Sequence, residues 1–294
     1  MTAVDQRLVT LSLSINGQLK TYSSPMYISS TGKASTNPVE SQVEIKIANL
    51  SKSDQDYLAA ACSPYNKDNS QKIAIFSAGR ISTGANIIFQ GNISTSKPKK
   101  GGVSANGKTP NINTLTAQPP PDIILAFKCQ EHQYVKGNIV ASQQPATALM
   151  SQIANQIAAD CGLTCNFQAT DKNISNYAFT GPALKQVSKL NAMGVSAWAD
   201  GSTLYVTDPN APLANVSRVL DLDSGLIGIP EVTEQGVKLT YLLDNTSKRG
   251  GALQLISKVY PTLNGTYRIF DLGWNISSRE VPFYWIADCK RISA

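Results

Sequence analysis

Apolar and polar residues alternate early in the chain: Val9, Leu11, Leu13 and Ile15 are separated by Thr10, Ser12 and Ser14. A period of two puts the apolar set on one face and predicts a half-buried strand. Asn16-Gly17 follows. Both central residues of a type I′ turn need φ > 0, so this pair predicts a hairpin returning through Leu19, Thr21 and Tyr22. Val43, Ile45 and Ile47 repeat the alternation around Glu44 and Lys46. From Asn49 to Cys62 the period changes. Ser51-x-x-Asp54 offers a helix N-cap, and Tyr57, Leu58 and Cys62 recur at helical spacing, which predicts one short inserted helix. Residues 73–76 and 87–93 then read as strands, with Gly79 and Gly84 marking the turn.

Residues 94–121 break the pattern. Lys97, Pro98, Lys99, Lys100, Gly101 and Gly102 lead through Pro110 to Pro119-Pro120-Pro121. This reads as a long basic loop or linker, a length that is functional or mobile as a rule. Residues 123–129 form the next strand. In 146–160, Leu149, Ile153 and Ile157 recur every fourth residue and Gly162 supplies the stop, which predicts a helix. A second helix follows Pro182, with Leu184, Val187 and Leu190 on one face and Gly194 at its end. Residues 195–198 and 204–206 make a hairpin around Asp200-Gly201. After Asp208-Pro209 the chain returns to short strands at 237–243, 253–256, 267–270 and 283–286, punctuated by glycines. Such spacing suits a small barrel or sandwich. The expected class is α+β and mainly β. The expected segments are a β domain at 1–95, a loop at 96–122, a small α/β domain at 123–210 and a second β domain at 211–294.

Composition narrows the function classes. Of 294 residues, 42% are hydrophobic, enough for packed cores and too many for a wholly disordered chain. Only 16% are charged, against about a quarter in ordinary soluble domains. The polar surface therefore comes from Ser, Thr, Asn and Gln, a surface suited to partners or to a solvated sheet. A net charge of +6 permits binding to anionic partners without requiring it. The first 16 residues lack the pattern of a signal peptide, and no run of about 18 apolar residues occurs to span a membrane. Without a secretory signal, sequons such as Asn49-Leu-Ser51 read as accidents of composition.

Candidate chemistry is sparse. Gly102-Val-Ser-Ala-Asn-Gly107-Lys108-Thr109 matches the P-loop expression. That motif cradles phosphate only between a strand and a helix N-terminus. Here lysines and prolines flank it, so a solvated loop is the better reading. The same loop lacks interleaved aromatics for single-strand stacking. His132 is the one histidine, near Cys129 and Glu131. Proximity in sequence is not a triad, and one imidazole excludes His-rich metal sites. Cys62, Cys129, Cys161, Cys165 and Cys289 are odd in number and form no CxxC pair, so reduced thiols are the default, and for Cys161 and Cys165, four apart, either a local disulfide or two buried thiols is expected. Asp221-Leu-Asp223-Ser-Gly225 lacks the offsets of a calcium loop and fits a strand with one polar face. No catalytic, cofactor-binding or metal-binding residue is assigned.

Three stretches taken together carry a resemblance. The first is Ile73-Ala-Ile-Phe-Ser-Ala-Gly79 followed by Ile88-Phe89-Gln90-Gly91-Asn92-Ile93. The second is Phe179-Thr180-Gly181 with residues 183–193, then Ala197-Trp198 and Leu204-Tyr205-Val206. The third is Leu226-Ile227-Gly228-Ile229-Pro230, residues 236–243, and Asn264-Gly265-Thr266-Tyr267-Arg268-Ile269 through Trp285. In order and spacing these resemble the baseplate hub proteins of tailed phages. That family pairs an "aGy" strand with an "iFxGxI" strand. Arg80 departs from the usual aromatic, and the Lys-rich loop is longer than the family leads one to expect.

The resemblance implies two tail-tube-like antiparallel β-barrel or sandwich domains flanking the α/β domain. It implies a homotrimeric ring that mimics six tube subunits and joins the tail tube to the central spike. Other baseplate proteins would attach, and the tape measure protein and then DNA would pass through. It further implies a non-enzymatic virion component assembled in the host cytoplasm, with no cofactor and no stable membrane insertion. The alternatives are a tail-associated cell-wall-degrading enzyme, which needs a paired carboxylate or metal site, and the hub of a phage-tail-like secretion or bacteriocin particle.

Overall fold

The computed structural model describes residues 5–36, 41–63, 65–66, 71–100, 123–132, 135 and 137–292. The class is α+β and mainly β. In chain order come β1 (Arg7–Ile15), β2 (Gln18–Ser23), β3 (Ile28–Ser35), β4 (Gln42–Ala48), α1 (Lys52–Ala61), β5 (Ile73–Arg80), β6 (Gly84–Lys100) and β7 (Ile123–Gln130). Next are β8 (Ile139–Gln143), β9 (Thr147–Leu149), α2 (Met150–Asp160), β10 (Thr164–Phe167), β11 (Asn173–Ser175), β12 (Ala178–Pro182), α3 (Lys185–Ala192), β13 (Ser196–Asp200) and β14 (Thr203–Thr207). The last strands are β15 (Ser217–Leu220), β16 (Leu226–Thr233), β17 (Gly236–Leu242), β18 (Ala252–Leu255), β19 (Gly265–Ser277) and β20 (Phe283–Arg291).

The chain divides into two compact units, and neither is one continuous segment. The first holds Met1–Thr31, Val43–Gln130 and Ile276–Pro282; the second holds Gly32–Gln42, Glu131–Asn275 and Phe283–Ala294. The strand β7, counted above with the α/β segment, lies in the first unit.

In the first unit the strand order is β4-β7-β6-β5-β1-β2. The β1–β2 hairpin turns at Asn16 and Gly17, both at positive φ, as the sequence predicts. The alternating residues Val9, Leu11, Leu13 and Ile15 are all buried, with Ile45, Ile47, Leu58, Phe76 and Phe127. Helix α1 is capped by Ser51, whose hydroxyl accepts from the Asp54 N–H at 3.1 Å. The iFxGxI stretch has a packing reason. Phe89 is buried opposite Phe76 across the β5–β6 pair. A Cβ on Gly91 would stand 2.6 Å from both the Phe89 ring and the Gln130 carbonyl. Only hydrogen leaves room for that ring between the strands.

The strand β6 runs to Lys100, seven residues beyond the expected strand end at Ile93. It pairs with β7 through Lys97↔Ala126 and Pro98↔Leu125, after the β5 register has ended at Ile73↔Asn92. With β5 gone, Pro98 has one strand partner, and a missing N–H is tolerated on an open side. Its own residues are Ser, Thr, Lys and Pro, so no apolar alternation betrays the strand; the apolar side chains come from β7. The rest of the expected loop, 101–122, lies outside the described residues.

In the second unit the strand order is β16-β17-β20-β19, with β18 on β19 and β15 parallel to β18. Trp274 and Trp285 meet edge to face at 6.4 Å. The α/β portion has a three-stranded sheet, β10-β14-β13, with β10 parallel and β13 antiparallel to β14. Helices α2 and α3 pack on a core of Met150, Ile153, Ile157, Val187, Leu190, Leu204 and Val206. Gln186 is fully buried and satisfied: it accepts from Tyr177 Oη at 2.9 Å and donates to Asp160 at 2.8 Å. The strand expected around 220–223 is a correction. The strand β15 ends at Leu220, and the next residues turn, because the Asp221 carboxylate accepts from the Ser224 N–H at 2.6 Å.

Candidate functional site

The residues singled out for chemistry are occupied otherwise or lie outside the described residues. The P-loop match at 102–109 lies outside the described residues. His132 adopts φ 52° and is buried, with Nε2 2.9 Å from the Gly201 carbonyl oxygen. Glu131 is buried in an ion pair with Arg249. Burial pushes the Cys129 thiol far up. All five cysteines are free. Among the described residues no group of three His, Cys, Asp or Glu side chains is placed to hold a metal ion, and no helix is long and apolar enough to cross a membrane.

The thiols give a direct check. Burial pushes Cys62 and Cys161 up to about 11, so at pH 8 roughly one in a thousand is thiolate. Half-buried Cys165 is expected to react first with a thiol reagent, and the others only as the protein unfolds. A time course with mass-spectrometric site assignment tests this; five fast thiols in the native protein would contradict it.

The strongest polar constellation lies in the second unit and surrounds Arg249. Its guanidinium is 2.6 Å from Asp200 Oδ1 and 3.2 Å from Glu131 Oε1, and Nη1 donates to Glu131 Oε2 at 3.3 Å and the Ser35 carbonyl at 3.4 Å. Burial opposes the charge on Arg249, but the two carboxylates outweigh it and hold the pKa above its ordinary value. Arg268 reaches the same β13–β14 hairpin. It donates to Ser196 Oγ at 2.9 Å and lies 5.3 Å from the Trp198 ring, which stacks on Tyr205 at 5.6 Å. Burial alone lowers Arg268 to about 10. These cations fix the hairpin to the second unit's β strands. Paired charges of this kind orient parts, although Arg268 Nε and Trp198 Nε1 are buried without a hydrogen-bond partner.

Sequence reasoning missed both arginines. Glu131 and Arg249 are 118 positions apart, and no local pattern links them. The surface offers a different kind of candidate. The end strand β16 exposes Ile229 at 59% and Val232 at 72%. The end strand β2 exposes Leu19 at 67%. Unpaired edges with apolar side chains are templates for pairing with another chain.

Comparison with known proteins follows this architecture. The family model described as "Baseplate hub gp41" matches residues 8–116 and 106–289. No curated protein matches the chain. Among solved structures, the 43 kDa tail protein of prophage MuSo2 from Shewanella oneidensis superposes with a TM-score of 0.60 at 9% identity, covering 96% of this chain and 98% of that one. The tail protein from Neisseria meningitidis MC58 gives 0.58 at 9% identity, with 96% of each chain covered. The Escherichia coli c3393 protein, a type VI secretion component similar to the T4 tail proteins gp27 and gp5, gives 0.55 at 9% identity, covering all of this chain and 75% of that one. At such identities the likeness is one of fold.

Proposed function

The chain belongs to the baseplate hub gp41 family, a structural component of the phage tail baseplate, and from that premise we propose that it closes as a homotrimeric ring joining the tail tube to the central spike. The observation that carries this reading is the family match, which runs from residue 8 to residue 289. In the proposal the β parts of the chain act as tube-like domains, so that three chains present six such surfaces to a six-fold tube. The exposed strands β2 and β16 are where ring closure would cover open edges, as closed symmetry does in oligomers generally. The spike, the other baseplate proteins, the tape measure protein and DNA in transit are the proposed partners. The work is done by assembly within the virion and not by catalysis.

Light scattering of the purified protein tests the ring. The expected mass is three times the 31.5 kDa chain, with rings in electron micrographs. A monomer across micromolar concentrations, with no ring, overturns the proposal. Peptidoglycan turnover abolished by one carboxylate substitution would overturn the non-enzymatic reading.

A further inference from the structure

Arg268 on β19 is 5% exposed and Trp198 on β13 is 1% exposed. A cation removed from water is costly unless a counter-charge or a full set of acceptors meets it. Arg268 Nη2 donates to two neutral hydroxyls, Ser196 Oγ at 2.9 Å and Thr207 Oγ1 at 3.4 Å. Burial is the one influence that lowers its pKa, so among the described residues no carboxylate offsets the charge. Its Nε–H is buried with no protein acceptor, and so is the Trp198 Nε1–H. Arg249 differs on this point, since two carboxylates meet its guanidinium.

The two unpartnered donors belong to neighbouring groups: Arg268 lies over the indole, its Cζ 5.3 Å from the Trp198 ring centroid. The surrounding hydroxyls add donors. Thr207 Oγ1 gives its proton to the Asp208 carbonyl at 3.2 Å. Ser196 Oγ receives from Arg268 and retains a proton to donate. A water molecule here would accept from both N–H groups, turn its own protons toward a donor-rich wall, and bring no charge. A monovalent anion accepts from the same groups and neutralises the guanidinium. Packing sets its size. A Cβ on Gly250 would stand 2.4 Å from Trp198 Cζ2, so the chain already closes on the indole edge two bonds from Nε1. Such close packing suits a single atom better than a phosphate or a carboxylate.

We propose that Arg268 Nε and Trp198 Nε1 together hold a buried monatomic anion, chloride being the common one. The anion would complete the charge balance where the β13–β14 hairpin meets β19. Trp198, Ser196, Thr207 and Arg268 all come from the Glu131–Asn275 segment of the second unit, so binding does not depend on ring closure. Failure of the ring proposal leaves this one standing, and the reverse holds.

The test is urea unfolding of the full-length protein at pH 7, with sodium chloride exchanged for sodium methanesulfonate at constant ionic strength. A ligand held only by the folded state stabilises it. Above the dissociation constant, each tenfold rise in chloride is therefore expected to raise the folding equilibrium constant about tenfold. Trp198→Phe removes one N–H, keeps an aromatic ring, and is expected to weaken chloride binding about tenfold or more. Arg268→Met removes the charge and is expected to abolish the chloride dependence. Crystals of the parent protein grown in sodium bromide give a readout that needs no variant: an anomalous peak is expected within hydrogen-bond reach of both nitrogens. Equal stability in the two salts overturns the site. So does a chloride dependence that survives in Arg268→Met, or a bromide crystal with no anomalous peak beside Arg268 Nε.

Discussion

Arg249→Ala is expected to cost about 3–5 kcal/mol of unfolding free energy, the range for stripping one partner from a buried ion pair. The guanidinium side chain is 5% exposed and Glu131 10%, so removal leaves a carboxylate stranded away from water. Asp200 is 36% exposed and recovers hydration, so Glu131 carries most of the penalty. The Ser35 carbonyl loses a donor as well. Arg249→Lys is expected to recover only part of the loss, because an ammonium cannot offer two parallel N–H groups to Glu131. Exchanging all three charged residues for apolar ones of similar volume is expected to be far milder than Arg249→Ala alone. Urea denaturation followed by tryptophan fluorescence reads these differences. An Arg249→Ala midpoint within error of the parent would show that the cluster contributes no such stability.

The second large effect falls in the first unit. Phe89→Ala is expected to cost about 3–5 kcal/mol, through lost burial and the cavity left behind. Phe89 is 1% exposed and faces Phe76 across the β5–β6 pair. Gly91→Ala is expected to cost about 1–3 kcal/mol by overpacking, since its new methyl would meet the ring and the Gln130 carbonyl together. The two changes share a space and so do not add. In the Phe89→Ala background the ring is gone and the Gly91→Ala penalty is expected to shrink, though not to vanish, because the carbonyl stays. Strict additivity in a double-mutant cycle would remove the ring contact as the reason for the glycine.

What could be read from the chain followed physical range. The β1–β2 hairpin, α1, α2 and α3 announce themselves through period, cap and turn within about ten residues. The strand β3 does not, because its inward positions include Ser30, buried at 1%, and not an unbroken apolar row. The end of β6 is silent for the same reason. The polar clusters were out of reach altogether. The Arg7–Arg80 juxtaposition follows from a register between strands, and Arg249 finds its carboxylates over separations of 49 and 118 positions. The family resemblance succeeded because it compares order along most of the chain, where Gly79, Phe89 and Gly91 are spaced by packing.

The segment Ile276–Pro282 belongs to the first unit although the rest of that unit is finished by Gln130. On the ribosome, the N-terminal strands emerge long before the carbonyls of Ser277 and Val281 that accept from Arg7, across 270 and more positions. Contacts so distant form late and slow the search. The first unit therefore completes itself only once Ile276–Pro282 has been made. A chain cut short before Ile276, however well its hairpins form, lacks the clasp of carbonyls around Arg7.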